Sequence, residues 1–262
     1  MRAPGGEGRA SVADRVFLVL DCCAGSGRPL SLVELEARTG LPKTTLHRIC
    51  WKLVELGMLE HGRAGFRVGT TLFALGGMNP GLRKLRVVAM PHLHTLVAST
   101  GWATNLAVLA GGRALIVEEV YGGQSRAMPR MVGHRLPLHA TAVGKALLSG
   151  YADDELDSLV EGSGLRPFTG ATIVHPGRLR AQIEVVRRTG IAYSHEEWEA
   201  GTSGVAAPVL VGGGVAAAIA AVGPPGRAGL RQRADSVRVA AAKVARAFGP
   251  VVPYPARSSV TA

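Results

Sequence analysis

Residues 31–67 constrain this chain more than any other stretch, because they spell two short helices, a tight turn between them and a hairpin directly after. Ser31-Leu-Val-Glu34 predicts a capping-box start, in which the Ser31 oxygen takes an orphan backbone N–H and Glu34 reaches back. Thr39-Gly40 stops that helix. Pro42 suits the first position of the next one, where its missing N–H is not needed. Leu46, Ile49, Cys50 and Leu53 recur at i, i+3, i+4 and i+7, which gives one buried stripe. At about 100° per residue, Thr44, Arg48 and Trp51 point the other way, flanked by His47 and Lys52. Gly57 ends the helix. Residues 58–60 and 66–68 then flank His61-Gly-Arg-Ala-Gly65, a turn with Arg63 near its tip. This is the pattern of a winged helix-turn-helix over residues 11–70. A polar, basic helix face with threonines at its start can enter a DNA major groove, meeting phosphates and base edges. Lys43, Thr44, Thr45, His47, Arg48, Lys52, Arg63 and Arg67 are the candidate contacts, and double-stranded DNA is the expected partner.

Charge alone does not make that case. The net charge is +11, but residues 1–80 hold ten Lys/Arg against seven Asp/Glu, and residues 81–262 hold twenty against twelve. The excess is therefore larger outside the reading elements, and placement matters more than the total. Hydrophobic residues make up 47% and charged ones 19%, as in a folded globular chain. The three cysteines, Cys22, Cys23 and Cys50, form no Cys-x-x-Cys or secretory pattern. Core packing and a reduced, cytoplasmic setting are expected for them. Residues 1–10 carry no apolar signal segment; with 250–262 they are expected as flexible tails.

The 18 uncharged residues 205–222 approach the length of a membrane span. Pro208 and Gly212-Gly-Gly214 interrupt them, however, so two β-rich runs around a glycine turn read as a hairpin buried on both faces. No membrane partner is expected. Upstream, residues 85–100 form a helix with a Leu85/Val88/Ala89/His92/Leu93/Leu96/Val97 stripe, expected to lie in a linker (71–100) and to carry dimer contacts. Residues 104–110 and 113–120 read as a hairpin, 135–139 as a strand and 142–149 as a short helix. Helices are expected at 153–161, 176–189 and 230–248, and a strand at 191–194. An antiparallel sheet with flanking helices, an α+β domain over 101–249, is the natural assembly.

Several ordered motifs carry a resemblance. They are Leu41-Pro-Lys-Thr-Thr-Leu-His-Arg48 with Leu53-Val-Glu-Leu-Gly57, and Gly133-His-Arg-Leu-Pro-Leu-His-Ala-Thr-Ala-Val-Gly-Lys-Ala146. Gly190-Ile-Ala-Tyr193, Glu197, Gly201, Val205-Ala-Ala-Pro208 and Val222-Gly-Pro224 follow. In this order the chain resembles the IclR-type bacterial transcriptional regulators over residues 11–248. The resemblance implies a GAF-like effector-binding domain, a small organic effector, and a homodimer that commonly pairs into a tetramer on a palindromic operator. Carried over by motif position, the effector residues are Met128, Ala142, Val143, Ser194, Thr202, Gly204 and Ala220. Ser194, Gly204 and Ala220 depart from the family's frequent acid, Cys and Ser, which is expected to widen the pocket and make it more apolar. Thr141 caps the helix starting near Ala142, and the free N–H groups through Gly144 favour a carboxylate.

Catalysis and cofactors are not expected. Gly201-Thr-Ser-Gly204 lacks the Gly-x-Ser-x-Gly elbow of a nucleophilic serine. His195-Glu196-Glu197 cannot easily converge on one metal, and these acids with Glu199 read as a solvated loop. His134 and His139 read as loop and strand residues. The alternative to a DNA-binding regulator is a small-molecule-binding or catalytic protein whose helix-turn-helix contacts another protein.

Overall fold

A computed structural model describes residues 11–122 and 130–249; the expected tails and Met128 lie outside the described residues. The chain divides between Pro80 and Gly81 into two compact units. In the first, α1 (Val12–Ala24) opens with a capping box from Ser11 and Asp14. The helix α2 (Leu32–Thr39) opens with the Ser31–Glu34 box and ends at Gly40, whose φ of 68° is left-handed, a conformation glycine adopts without steric cost. Next comes α3 (Lys43–Glu55), which starts one residue later than expected. Pro42 is its N-cap, with an extended ψ of 142°, rather than its first helical residue. Leu46, Ile49, Cys50 and Leu53 are all buried and pack with Val19, Leu35 and Phe66. Burial pushes the Cys23 thiol up to about 12 and that of Cys50 up to about 11, so both behave as neutral core side chains. The wing strands β1 (Leu59–Gly62) and β2 (Gly65–Val68) pair with Gly62 opposite Gly65, which leaves Arg63 and Ala64 as the turn. Leu30 lengthens the wing by exchanging both backbone hydrogen bonds with Phe66 at 2.8 Å. A short α4 (Thr70–Gly77), which the sequence pattern did not reveal, buries none of its residues.

The second unit starts with α5 (Pro80–Thr100), followed by the hairpin β3 (Ala103–Ala110) and β4 (Arg113–Val120). Then come β5 (Arg135–Leu136), α6 (Ala142–Leu148), α7 (Asp153–Ser163), α8 (Pro176–Thr189) and β6 (Ala192–His195). The hairpin β7 (Ser203–Val211) and β8 (Gly214–Gly223) and a closing α9 (Arg227–Phe248) complete it. The six strands form one antiparallel sheet in the order β5-β4-β3-β8-β7-β6. The strand expected over 135–139 is cut to two residues, because Pro137 has no N–H to donate to β4. The β7–β8 hairpin is buried on both faces, as its unbroken apolar runs require. Val205, Ala207 and Ile219 meet α5 and α9, while Ala206, Ala218 and Ala220 meet α6 and α8. Among the described residues no helix is long and apolar enough to cross a membrane.

The α5 stripe of Leu85, Ala89, Leu93 and Leu96 is spent inside the second unit's core, and the apolar side chain that α5 leaves exposed is Val87. One expectation changes here: Glu197 is not solvated. It is 4% exposed, and its two carboxylate oxygens each lie 2.6 Å from the Nζ of Lys145, which also donates to Tyr193 O at 3.0 Å. Lys145 is fully buried in α6. Desolvation holds its pKa below the usual lysine range, with the Glu197 carboxylate opposing that shift. The pair fastens the loop after β6 onto α6, and Thr172 and Thr169 anchor the same loop by donating to Glu197 O and Glu196 O at 2.5 and 2.7 Å.

Replacing Lys145 with Met strands a carboxylate in the core. A loss of about 3–5 kcal/mol in urea unfolding is expected, largely recovered by adding Glu197→Leu. A loss under about 1 kcal/mol for Lys145→Met would show that the pair contributes nothing.

Candidate nucleic-acid interface and ligand cavity

The exposed side of α3 has the chemistry expected of it. Lys43, Thr44, His47, Arg48 and Lys52 are exposed, and Thr45 is half-buried. Pro42 provides no side-chain cap, and the first turn holds no acid. The N–H groups of Lys43, Thr44 and Thr45 therefore face outward at the positive end of the helix dipole, where phosphate oxygens bind well. The basic residues are not equivalent. Arg67 is held by Glu60, its cross-strand partner, through Nε and Nη2 at 2.9 and 2.7 Å. Lys52 lies 2.7 Å from Glu55, an exposed pair that water weakens. No ion pair engages Lys43, Arg48 or Arg63 among the described residues. Trp51 is exposed, as expected, and also leans on the wing, with its ring 5.0 Å from His61 and edge-on to Phe66 at 6.0 Å. It braces helix and wing together.

In the second unit a cavity of about 70 Å³ lies between the sheet and the start of α6. Seven expected effector residues line it: Thr141, Ala142, Val143, Ser194, Thr202, Gly204 and Ala220. Gly144 does not. Its Cα sits so close to Leu138 that a Cβ would fall 2.3 Å from the Leu138 carbonyl oxygen, so this glycine serves close packing. Thr141 caps α6 by accepting from Gly144 N at 3.1 Å and donates to Pro137 O at 2.8 Å. The N–H groups of Ala142 and Val143 precede the first intrahelical bond, which Lys145 N makes to Thr141 O, and they stay available to an anion. Ser194 donates to Ala140 O at 3.0 Å, so its hydroxyl fixes the loop above it. A Cβ at Gly204 would touch the Cβ of Ala142 at 3.4 Å; its absence keeps the floor open there.

Several cavity residues escaped the sequence reading, namely Asn105, Glu119, Met131, Leu136 and Trp198. The signal available was a pair of polar residues, Thr104 and Asn105, in an otherwise apolar strand. Lys145, the lone charge in an apolar helix, gave an equivalent hint of its buried partner. Of the two histidines, His139 is in no strand. Its ring is buried with Nε2 3.0 Å from Arg166 O, and desolvation lowers its pKa. No cluster of three or more metal-ligating side chains occurs among the described residues.

Comparison with known proteins agrees with both units. Residues 12–63 match the IclR helix-turn-helix domain, and residues 82–248 match the C-terminal domain of the bacterial transcriptional regulator IclR. The acetate operon repressor of Salmonella typhimurium is 32% identical over 203 residues, covering 76% of this chain and 74% of that protein. The HTH-type transcriptional regulator XynR of Escherichia coli is 31% identical over 198 residues, covering 75% of this chain and 79% of that protein. The crystal structure of an IclR homolog from Microbacterium hydrocarbonoxydans, complexed with 4-hydroxybenzoate, superposes with a TM-score of 0.81 at 28% identity. That likeness covers 91% of this chain and 99% of the other. With a helix-turn-helix, a wing and a cavity at the start of α6 in place, and with matches spanning both units, this chain belongs to the IclR family of bacterial transcriptional regulators.

Proposed function

We propose that the chain binds a palindromic operator as a homodimer and that a small aromatic carboxylic acid, lodged in the C-terminal cavity, changes its affinity for that operator. The observation that carries the DNA part is the uncapped, acid-free start of α3 with Arg48 exposed and unpaired one turn further on. Arg48 reads base edges in this proposal, while Lys43 and Arg63 meet phosphates. Arg67 and Lys52 contribute less, because Glu60 and Glu55 already hold them. A single reading helix spans few base pairs, so specificity calls for two half-sites about 10 base pairs apart or a multiple of it. The exposed apolar side chains of the first unit suit self-association: Phe17 on α1 and Phe73 and Met78 on and beside α4 are 68%, 77% and 74% exposed in the single chain. Pairing of dimers into tetramers and a cytoplasmic site of action complete the proposal.

The effector part rests on the cavity lining and on the relative that binds 4-hydroxybenzoate. The free N–H groups of Ala142 and Val143 suit a carboxylate, and the apolar floor at Gly204 and Ala220 suits a ring. At about 70 Å³ the cavity is smaller than the roughly 150 Å³ that takes benzene in an engineered core. An aromatic acid therefore enters by displacing half-buried Met131 or Trp198. The ligand acts on DNA binding only if it favours one arrangement of the protein over another.

Two outcomes follow. In operator titrations at fixed salt, wild type should bind with two chains per duplex, and Arg48→Ala should bind about 1–3 kcal/mol more weakly while its unfolding stays unchanged. Unaltered affinity would remove Arg48 from the reading surface. Gly204→Leu, which fills the cavity beside Ala142, should bind operator as wild type does and ignore the effector. A full response in that variant would place the effector elsewhere.

A further inference from the structure

Two polar atoms of the cavity lining, Asn105 Oδ1 and Ser203 Oγ, have no hydrogen-bond partner among the described residues, and Asn105 is the one on the central strand β3. Asn105 is 5% exposed, and its Oδ1 has no hydrogen-bond partner among the described residues. On the sheet it stands directly between Glu119 of β4 and Ala220 of β8. It shares its strand face with Ala107, and Ala107 and Ala220 both pack in the cluster formed with α6. Its amide is therefore directed to the cavity side, where Asn105 and Glu119 both line the wall. Buried acceptors are hydrogen-bonded in nearly all proteins, and an exception calls for a donor from elsewhere. Glu119 is held in place, since its Oε2 accepts from Met131 N at 2.9 Å and Tyr121 is hydrogen-bonded to it.

The cavity thus has two unlike ends. At one, Ala142 and Val143 offer N–H donors above Gly204 of β7. At the other, the Asn105 Oδ1 and the Glu119 carboxylate offer acceptors on β3 and β4, with the Asn105 amide NH2 as the donor beside them. Strand β8 lies between β7 and β3, and Gly204 pairs with Val222 while Asn105 pairs with Ala220, so two strand spacings and a two-residue offset set these positions about 12 Å apart. That separation suits one six-membered ring bearing an acid at one end and a hydrogen-bond donor at the other. The reverse orientation would set the ligand's carboxylate against Glu119.

We propose that Asn105 is a specificity-determining residue, which accepts a hydrogen bond from a hydroxyl or amino group at the end of an aromatic acid opposite its carboxylate. This rests on the effector reading above and narrows it: an acid without that donor leaves Asn105 buried and unpaired, and is rejected for that reason.

Calorimetric titration of the full chain with 4-hydroxybenzoate, 4-aminobenzoate, benzoate and 4-methoxybenzoate tests it. Wild type should bind the two donor-bearing acids about tenfold or more tighter than the other two. Asn105→Leu should lose that preference, through weaker binding of 4-hydroxybenzoate and unchanged or tighter binding of benzoate. Equal wild-type affinity for 4-hydroxybenzoate and benzoate overturns the role of Asn105 while leaving the cavity as the effector site, and needs no variant to be folded. A preference that survives in Asn105→Leu overturns it as well. If none of the four acids binds wild type, the effector reading itself fails and this proposal falls with it.

Discussion

The buried pairing of Lys145 with Glu197 is the interaction on which the C-terminal unit's site depends. An ion pair in a dry core gains little net stability, because desolvating two charges offsets most of their attraction. Its value here is positional. Lys145 lies two residues beyond the Ala142–Val143 helix start that faces the cavity, and Glu197 lies on the loop that carries Trp198, Glu199 and Thr202 into the same wall. With the Nζ donating to both carboxylate oxygens and to Tyr193 O, every hydrogen of the ammonium has a partner. The loop cannot drift without exposing an unpaired charge to an apolar interior. A left-handed Glu196, with φ of 54°, is retained in that loop. Its carboxylate accepts from Gly201 N at 2.8 Å, and its own N–H donates to Thr202 O, which closes the loop on itself.

The DNA-reading unit is organised by a different constraint. Four residues of α3 fill the core and so fix which side of the helix is left exposed. Trp51 then ties that helix to the wing through His61 and Phe66, so Arg48 and Arg63 sit on elements braced by one aromatic cluster. The proposed base reading by Arg48 depends on such rigidity, because a bidentate contact to a base tolerates little displacement.

Features set by neighbouring residues were legible in the sequence, and features set by distant ones were not. The Ser31–Glu34 box, the left-handed Gly40, the Gly212-Gly213 turn and the bounds of α8 depend on a few consecutive residues, and the structure has them. Pro42 is misplaced by one position because proline suits both the cap and the first turn. The 135–139 strand ends early because Pro137 denies β4 a hydrogen bond. Glu197 seemed solvated because its partner lies 52 residues away, and only the packing of α6 on the sheet brings the two together. Asn105 went unnoticed for the same reason. Its meaning depends on register against Glu119 and Ala220, which periodicity within one strand does not encode. The α5 stripe was read correctly as apolar, yet its partner turned out to be the chain's own sheet.

In the proposed function, occupancy of the C-terminal cavity and operator binding are thermodynamically linked. Linkage is reciprocal, so whatever factor the ligand imposes on operator affinity, the operator must impose on ligand affinity. The direct measurement is a calorimetric titration of 4-hydroxybenzoate into the full chain, free and saturated with operator duplex selected from random-sequence DNA. Linked sites give two different Kd values, whose ratio equals the change in operator Kd caused by the ligand. Identical ligand Kd values in the two titrations would contradict it, leaving a DNA-binding protein and a ligand-binding protein joined in one chain without communication.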